Sequence, residues 1–167
     1  MKIPLQLLWM FSVLTPPWST MCNALLANGT TINTHVLWSS FDSPVRVTGM
    51  IDIESGGSLR IDEGVRVIFE TEESGINNKA GQIYILGSIS NKVILEPSTE
   101  EDENGWKGII FGSSAIPATF TDDGEYQSGS IIRFTEIIRA GYRKSSHMQT
   151  YGLDFREGAV SLFLALS

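Results

Sequence analysis

Apolar and polar residues alternate in short runs between Val45 and Phe69. The apolar members of these runs are Ile51 and Ile53, Leu59 and Ile61, and Val65, Val67 and Phe69. A spacing of two predicts extended strands that bury one face. Glycines at 56, 57 and 64 interrupt the runs, so each strand is only three or four residues long. Strands this short favour a coil that bends at each glycine and stacks successive turns.

The same alternation continues to the C-terminal part of the chain and predicts an all-β fold. The predicted strands fall into sets: 51–53, 59–61 and 67–69; 83–85, 88–89 and 93–95; 109–111, 131–134 and 137–138; and a fourth set opening at 153–155. Equivalent strands are expected at spacings from the high twenties to the forties. Polar insertions are predicted between strands, at 70–81, 96–104, 112–129 and 141–151. This combination is typical of a solenoid whose loops project from its corners.

These stretches resemble the right-handed parallel β-helix of the pectin-lyase-like class. The resemblance rests on residues 47–51, 57–69, 87–89, 93–95, 106–111 and 130–137, in that order, and covers about residues 37 to 140. Among animal proteins, the pattern is similar to the β-helix repeats of junctional ectodomains of the bark beetle (Anakonda) type. The resemblance implies about three to four turns of a right-handed parallel β-helix over residues 45–167. It implies no particular activity.

The N-terminal residues predict a targeting sequence followed by a cap. Lys2 precedes a short apolar stretch, and small residues at Cys22 and Ala24 fit a signal peptide of residues 1–24. The apolar run is shorter than the roughly 18 residues that a membrane anchor needs. Residues 25–44 are expected to form an N-terminal cap, with a first strand at His35–Trp38. The predicted localisation is secreted, or the ectodomain of a larger cell-surface protein.

Two further features fit an extracellular protein. Cys22 is the only cysteine, so cleavage after Ala24 would leave a mature chain without disulfides. Asn28, Gly29 and Thr30 form a sequon, which predicts glycosylation at Asn28.

The charge of the chain bears on its partners. Twelve basic and nineteen acidic residues give a formal net charge of −7. A negative surface repels phosphate backbones and anionic lipid heads, so we expect no nucleic-acid partner. A membrane is expected only if the chain belongs to a larger anchored protein. An extracellular protein or a glycan is the expected partner.

Clustered carboxylates are the most function-like feature of the sequence. The largest cluster is Glu100, Glu101, Asp102 and Glu103, and smaller ones lie at 70–73 and 122–125. Calcium takes six to eight oxygen ligands, which makes residues 100–103 a weak candidate for a calcium site. The clusters lack the spacing of known calcium motifs, so solvated loop charges are the alternative. No other cofactor or metal is predicted.

Catalytic candidates can also be sought on the strands. Enzymes of the resembled class use carboxylates together with Arg or Lys along one sheet face. Asp52, Arg60, Arg66 and Arg133 are predicted to project outward, with Asp52 on a different face from the arginines. Ordinary polar positions of half-buried strands are the alternative, and no catalytic residue is assigned. Trp106 is predicted to pack in the core, the alternative being stacking on a sugar ring.

The sequence therefore predicts an extracellular structural or adhesive β-helix module that presents acidic loops and has no catalysis of its own. The alternative is a fragment of a polysaccharide lyase, a glycoside hydrolase or a sugar-binding protein on the same fold. A β-helix truncated at its C-terminal end is predicted by the apolar residues Val160, Leu162, Phe163, Leu164 and Leu166. Such an edge would favour self-association.

Overall fold

The computed structural model describes residues 26–99, 105–141, 153–155 and 163–165. The strands in chain order are β1 (Leu26–Ala27), β2 (Thr31–Ile32), β3 (His35–Trp38), β4 (Val45–Val47), β5 (Met50–Ile53), β6 (Ser58–Asp62), β7 (Arg66–Phe69), β8 (Gly75–Asn78), β9 (Gln82–Leu86), β10 (Val93–Pro97), β11 (Ile109–Phe111), β12 (Thr119–Phe120), β13 (Tyr126–Ser128), β14 (Ile131–Arg133), β15 (Thr135–Ile137), β16 (Leu153–Phe155) and β17 (Phe163–Ala165). Within these ranges the only helical element is a 3-10 turn at Ser40–Asp42. The predicted all-β class is confirmed.

The strands form three parallel sheets of five strands each. The first sheet has the order β1-β4-β7-β10-β15, the second β2-β5-β8-β11-β16 and the third β3-β6-β9-β14-β17. Consecutive strands therefore move from one sheet to the next, and three of them make one layer. The strands β12 and β13 are the exception, because they pair only with each other, as an antiparallel hairpin between β11 and β14.

Aliphatic side chains stack from layer to layer between the three sheets. In the second sheet Ile51 is in register with Ile76, and Ile76 with Ile109. In the third sheet Leu59 is in register with Ile83. All of these side chains are fully buried. Alternate residues of β4, β5, β7, β9 and β10 thus face the core, as the alternation predicted.

The first layers are more closely spaced along the chain than the sequence predicted. Val45 pairs with Val67 and Leu59 with Ile83, which are closer intervals than the high twenties. Each sheet has five strands, and four of them lie within residues 45–167, in agreement with the three to four layers expected there. The segment predicted as a cap contains β1, β2 and β3, each paired with one neighbouring strand. Of these, only the strand at His35–Trp38 was predicted, and it is confirmed.

Two predicted segments were assigned wrongly. Residues 70–81 were expected to be a loop, yet they contain β8, in which Ile76 and Asn78 are buried. The buried Asn78 side chain has a hydrogen-bond partner there, because its Oδ1 atom accepts from the Gly81 N–H at 2.9 Å. Residues 88–89 were expected to be a strand, but they form a turn with Ile89 exposed. Hydrogen bonds between Ser88 and Asn91 close that turn.

Glycines at one corner allow the layers to approach closely. A Cβ on Gly57 would lie 2.2 Å from the Ile32 carbonyl oxygen of the preceding layer. A Cβ on Gly81 would lie 2.5 Å from the Gly57 carbonyl oxygen. Any side chain at these positions would therefore push two layers apart, which explains why glycine recurs there.

Candidate functional site

The outer face of the third sheet carries a groove that combines polar and aromatic side chains. Leu37, Arg60 and Tyr84 share one register across β3, β6 and β9. They face outward because their strand neighbours, such as Leu59 and Ile83, face the core. These three side chains, with His35, Val36 and Ser58, line a groove of about 290 Å³.

Hydrogen bonds fix the polar groups of this groove. The His35 Nδ1 atom lies 2.8 Å from the Ser58 Oγ atom. The Tyr84 hydroxyl donates to Gln82 Oε1 at 2.7 Å. Burial raises the pKa of Tyr84 above its ordinary value, so the phenol remains protonated at neutral pH. Tyr84 can therefore donate a hydrogen bond or offer a ring face, but it is a poor general base.

A second groove of about 340 Å³ continues along the same sheet. Arg60 lines both grooves, and Arg133, Asp62 and Glu63 line the second. The Arg60 Nε atom lies 2.7 Å from Asp62 Oδ1. Two guanidinium groups and two carboxylates thus share one shallow surface, with one cation already paired.

The structure separates the four strand residues that were candidates from the sequence. Arg60 and Arg133 meet in the second groove of the third sheet. Asp52 lies on the second sheet, where it accepts from Asn77 and pairs with Lys79. Arg66 lies on the first sheet and pairs with Glu96. The predicted separation of Asp52 from the arginines is confirmed, and the arginines are themselves divided between two sheets.

Sequence reasoning missed Tyr84, Asp62 and Glu63, which line the two grooves beside Arg60. The signal for Tyr84 was present, because it stands between Ile83 and Ile85 and must therefore face outward. The proximity of Arg133 to Arg60 could not be predicted from the sequence, because it depends on how residues 112–130 span the gap between β11 and β14.

Ion pairs connect neighbouring layers on the other two sheets. They are Arg46–Glu70, Arg66–Glu96, Lys79–Asp52, Lys79–Glu54, Lys92–Glu136 and Lys107–Glu73. Each joins residues of two consecutive layers, whereas Arg60 and Asp62 belong to one strand. The hydrogen bond from Arg66 to Glu96 raises the pKa of that arginine. The charged side chains of these two sheets and of their flanking turns are thus mostly paired with a charge of a neighbouring layer.

The contribution of one such ion pair to stability can be measured at Arg66 and Glu96. We expect Glu96→Gln to lower the free energy of unfolding by about 0.2–1 kcal/mol, because Arg66 is half exposed and solvent screens the pair. The loss should shrink in high salt. Urea denaturation at low and high salt measures both effects. Glu125→Gln, on the exposed hairpin, is the matched control and should change little. An equal loss in both variants would contradict the structural role of the pair.

The predicted acidic clusters have different outcomes. Residues Glu100, Glu101, Asp102 and Glu103 lie outside the described residues, so a calcium site there stays a prediction. Residues 122–125 are exposed and form the turn of the β12–β13 hairpin. Among the residues that the structure describes, no three His, Cys, Asp or Glu side chains come together as metal ligands would.

The predicted glycosylation site lies on an exposed turn. Asn28 is between β1 and β2, and its Oδ1 atom accepts from the Thr48 hydroxyl at 2.9 Å. The asparagine side chain is therefore accessible at the surface. Its glycosylation stays a prediction, and the predicted signal peptide lies outside the described residues.

Trp106 is confirmed as a core residue. Its ring is fully buried and stacks on Phe69, with ring centroids 3.8 Å apart and planes 1° apart. Its indole N–H donates to the Ile138 carbonyl oxygen at 2.8 Å. The ring therefore has no free face to offer a sugar.

No helix in the described ranges is both long enough and apolar enough to cross a membrane. Comparison of the chain with protein-family models, with curated proteins and with solved structures finds no match.

Proposed function

We propose that the chain is a right-handed parallel β-helix that acts as an extracellular structural and adhesive module. In this proposal it has no catalysis of its own and presents acidic loops to a protein or matrix partner. The cyclic order of strands through three parallel sheets supports the β-helix. The signal-like N-terminus and the exposed sequon at Asn28 support an extracellular location.

The observation that carries the proposal is the set of ion pairs between layers. A general acid or base must be free to exchange its proton with a substrate. Asp52, Glu70 and Glu96 are instead held by cations of the neighbouring layer. Paired in this way, the outward carboxylates link consecutive layers, while each pair adds little to stability. Pairing between layers suits a structural role better than a catalytic one.

The β12–β13 hairpin is the loop that best fits presentation to a partner. Residues 121–125 at its tip are exposed and include three carboxylates. Its base is anchored, because the Ile116 N–H donates to the Gly81 carbonyl oxygen at 3.0 Å. The Phe120 and Tyr126 rings pack edge to face across the hairpin. An anchored base with an acidic tip suits contact with a basic surface.

Cell attachment tests the adhesive part of the proposal. We expect cells to attach to a surface coated with the full chain, because the acidic tip would engage basic partners. The double variant Asp122→Asn plus Asp123→Asn should reduce attachment several-fold, and Glu72→Gln is the control for loss of one charge elsewhere. Failure of cells to attach to the unaltered chain would contradict the adhesive function.

A carbohydrate-active or sugar-binding protein is the second candidate, favoured by one observation. Arg60 and Arg133 lie beside Asp62 and Tyr84 along one sheet face. It ranks second because Arg60 is already paired with Asp62, and Tyr84, which can donate a hydrogen bond, is a poor general base. Incubation with polyuronates and neutral glycans, with and without calcium, separates the two candidates. We expect no turnover, and turnover that Arg133→Gln abolishes would overturn the structural proposal.

A further inference from the structure

Three successive turns stack at the corner between the third sheet and the first. They follow β3, β6 and β9 and lead into β4, β7 and β10, so each layer contributes one turn. These turns expose Phe41, Glu63 and Ile89, one residue from each layer, and we call these three residues the corner ridge. Neighbouring strands are about 4.8 Å apart, which places Phe41 and Ile89 about 10 Å apart along the stack.

The two apolar members of the corner ridge are almost fully exposed. Phe41 is 94% exposed and Ile89 is 81% exposed, the largest values among the described exposed large hydrophobic residues. A single exposed apolar side chain is ordinary on a protein surface. Two at one corner, on turns that are two layers apart, form a local apolar feature of this surface. Burying either side chain against a partner would be favourable, because it would remove a large apolar surface from water.

The turn that carries Phe41 is held rigid by its own hydrogen bonds. Both the backbone N–H and the hydroxyl of Ser39 donate to Asp42 Oδ2, at 2.8 and 2.7 Å. These bonds hold the pKa of Asp42 below its ordinary value, so the cap is intact at neutral pH. The Arg66 N–H donates to the Ser43 hydroxyl at 3.0 Å, which ties the turn to the next layer.

The turn that carries Ile89 is closed in the same manner. The Ser88 N–H donates to the Asn91 carbonyl oxygen at 3.0 Å, and the Asn91 N–H donates to the Ser88 hydroxyl at 3.1 Å. The Asn91 carbonyl also accepts from the Gly64 N–H of the preceding turn. Both apolar side chains are therefore presented on preorganised backbone, which lowers the entropic cost of binding.

Charge indicates what kind of partner would cover the corner ridge. Glu63 is exposed on the turn that lies between those of Phe41 and Ile89. It also borders the second groove, which Arg133 lines, yet no ion pair joins it to another described residue. The whole chain has a net charge of −7, which disfavours a second copy and an anionic lipid surface. Most described cations are already engaged in ion pairs, so a second copy has few to offer Glu63.

We propose that the corner ridge is a docking surface for a different protein, one that offers two apolar pockets about 10 Å apart with a basic side chain between them. Phe41 and Ile89 would fill the pockets, and Glu63 would pair with the basic group. Buried aromatic and aliphatic anchors dominate such interfaces, while the charge sets specificity and salt dependence. The inference rests on the proposed adhesive function and names the surface through which it would act.

A random peptide library displayed on phage tests the inference, with the full chain immobilised as bait. We expect enriched peptides with a Lys or Arg between two apolar residues, measured afterwards as labelled synthetic peptides by fluorescence anisotropy. Phe41→Ser and Ile89→Ser should each weaken binding about tenfold or more. Glu63→Gln should weaken it several-fold and flatten its salt dependence. Leu26→Ser, an exposed apolar position outside the ridge and both grooves, should leave binding unchanged.

All four variants alter exposed side chains, so their thermal unfolding midpoints should match that of the unaltered chain. A loss of binding would then not be due to a folding defect. A library without enrichment, or peptides that bind Phe41→Ser and Ile89→Ser undiminished, would overturn the inference. Co-sedimentation with phosphatidylcholine or phosphatidylserine vesicles that Phe41→Ser abolishes would overturn it in favour of a lipid. A dimer by light scattering that Phe41→Ser dissociates would overturn it in favour of a second copy. If only the double variant Asp122→Asn plus Asp123→Asn lost peptide binding, the docking role of the corner ridge would be overturned, while the adhesive function would stand.

Discussion

Replacing Ile61 by aspartate is expected to lower the free energy of unfolding by several kcal/mol. Ile61 is fully buried, in register with Trp38 on one side and Ile85 on the other. An aspartate there would lack a charged partner, and it must either hold a buried charge or take up a proton. Either outcome costs far more than the loss of packing alone.

Two matched variants isolate this effect. Ile61→Val keeps an apolar side chain and should cost about 0.5–1.5 kcal/mol. Arg60→Ser changes the adjacent outward position and should remain within about 0.5 kcal/mol, because its pair with Asp62 is exposed. Urea denaturation followed by circular dichroism measures all three. Similar midpoints for Ile61→Asp and Arg60→Ser would mean that the inward and outward faces have been exchanged.

The alternation of apolar residues predicted the faces of the strands well. Residues 45–69 contain β4 to β7, and the predicted inward residues such as Ile51 and Leu59 are buried. Alternation is reliable here because a shift by one residue would move every apolar side chain to the solvent. The same pattern could not reveal β8, since Asn78 is polar and yet buried. A hydrogen bond from the Gly81 N–H to its Oδ1 atom makes that burial possible.

Ile89 shows the opposite failure. A short apolar doublet predicted a strand, but Gly87, Ser88 and Asn91 are turn-forming residues that close a hydrogen-bonded loop instead. One isoleucine buries too little surface to outweigh that local preference. The error concealed the corner ridge, because a residue assigned to the core cannot be considered as a surface anchor.

The grooves of the third sheet could be predicted only in part. Arg60 and Tyr84 belong to strands whose outward faces follow directly from the alternation. Arg133 reaches the same face only because β14 pairs with β9. That pairing follows an insertion that contains the β12–β13 hairpin, and the cost of closing a loop depends only weakly on its length. Sequence spacing alone therefore cannot set the register of β14.

Replacing Trp106 by alanine is expected to cost about 3–5 kcal/mol of stability, since a large buried ring would leave a cavity. The loss includes the stacking of Trp106 on Phe69 and the hydrogen bond from the indole N–H to the Ile138 carbonyl. Trp106→Phe retains an aromatic ring but leaves that carbonyl without its donor, so its cost should be smaller, about 1–3 kcal/mol.

Phe41→Ser is the matched control, because it removes an aromatic ring that is already in solvent. Urea denaturation should therefore rank the losses as Trp106→Ala, then Trp106→Phe, then Phe41→Ser close to zero. If Trp106→Ala proved as mild as Phe41→Ser, the Trp106 ring would have to lie outside the core, where it could stack on a sugar.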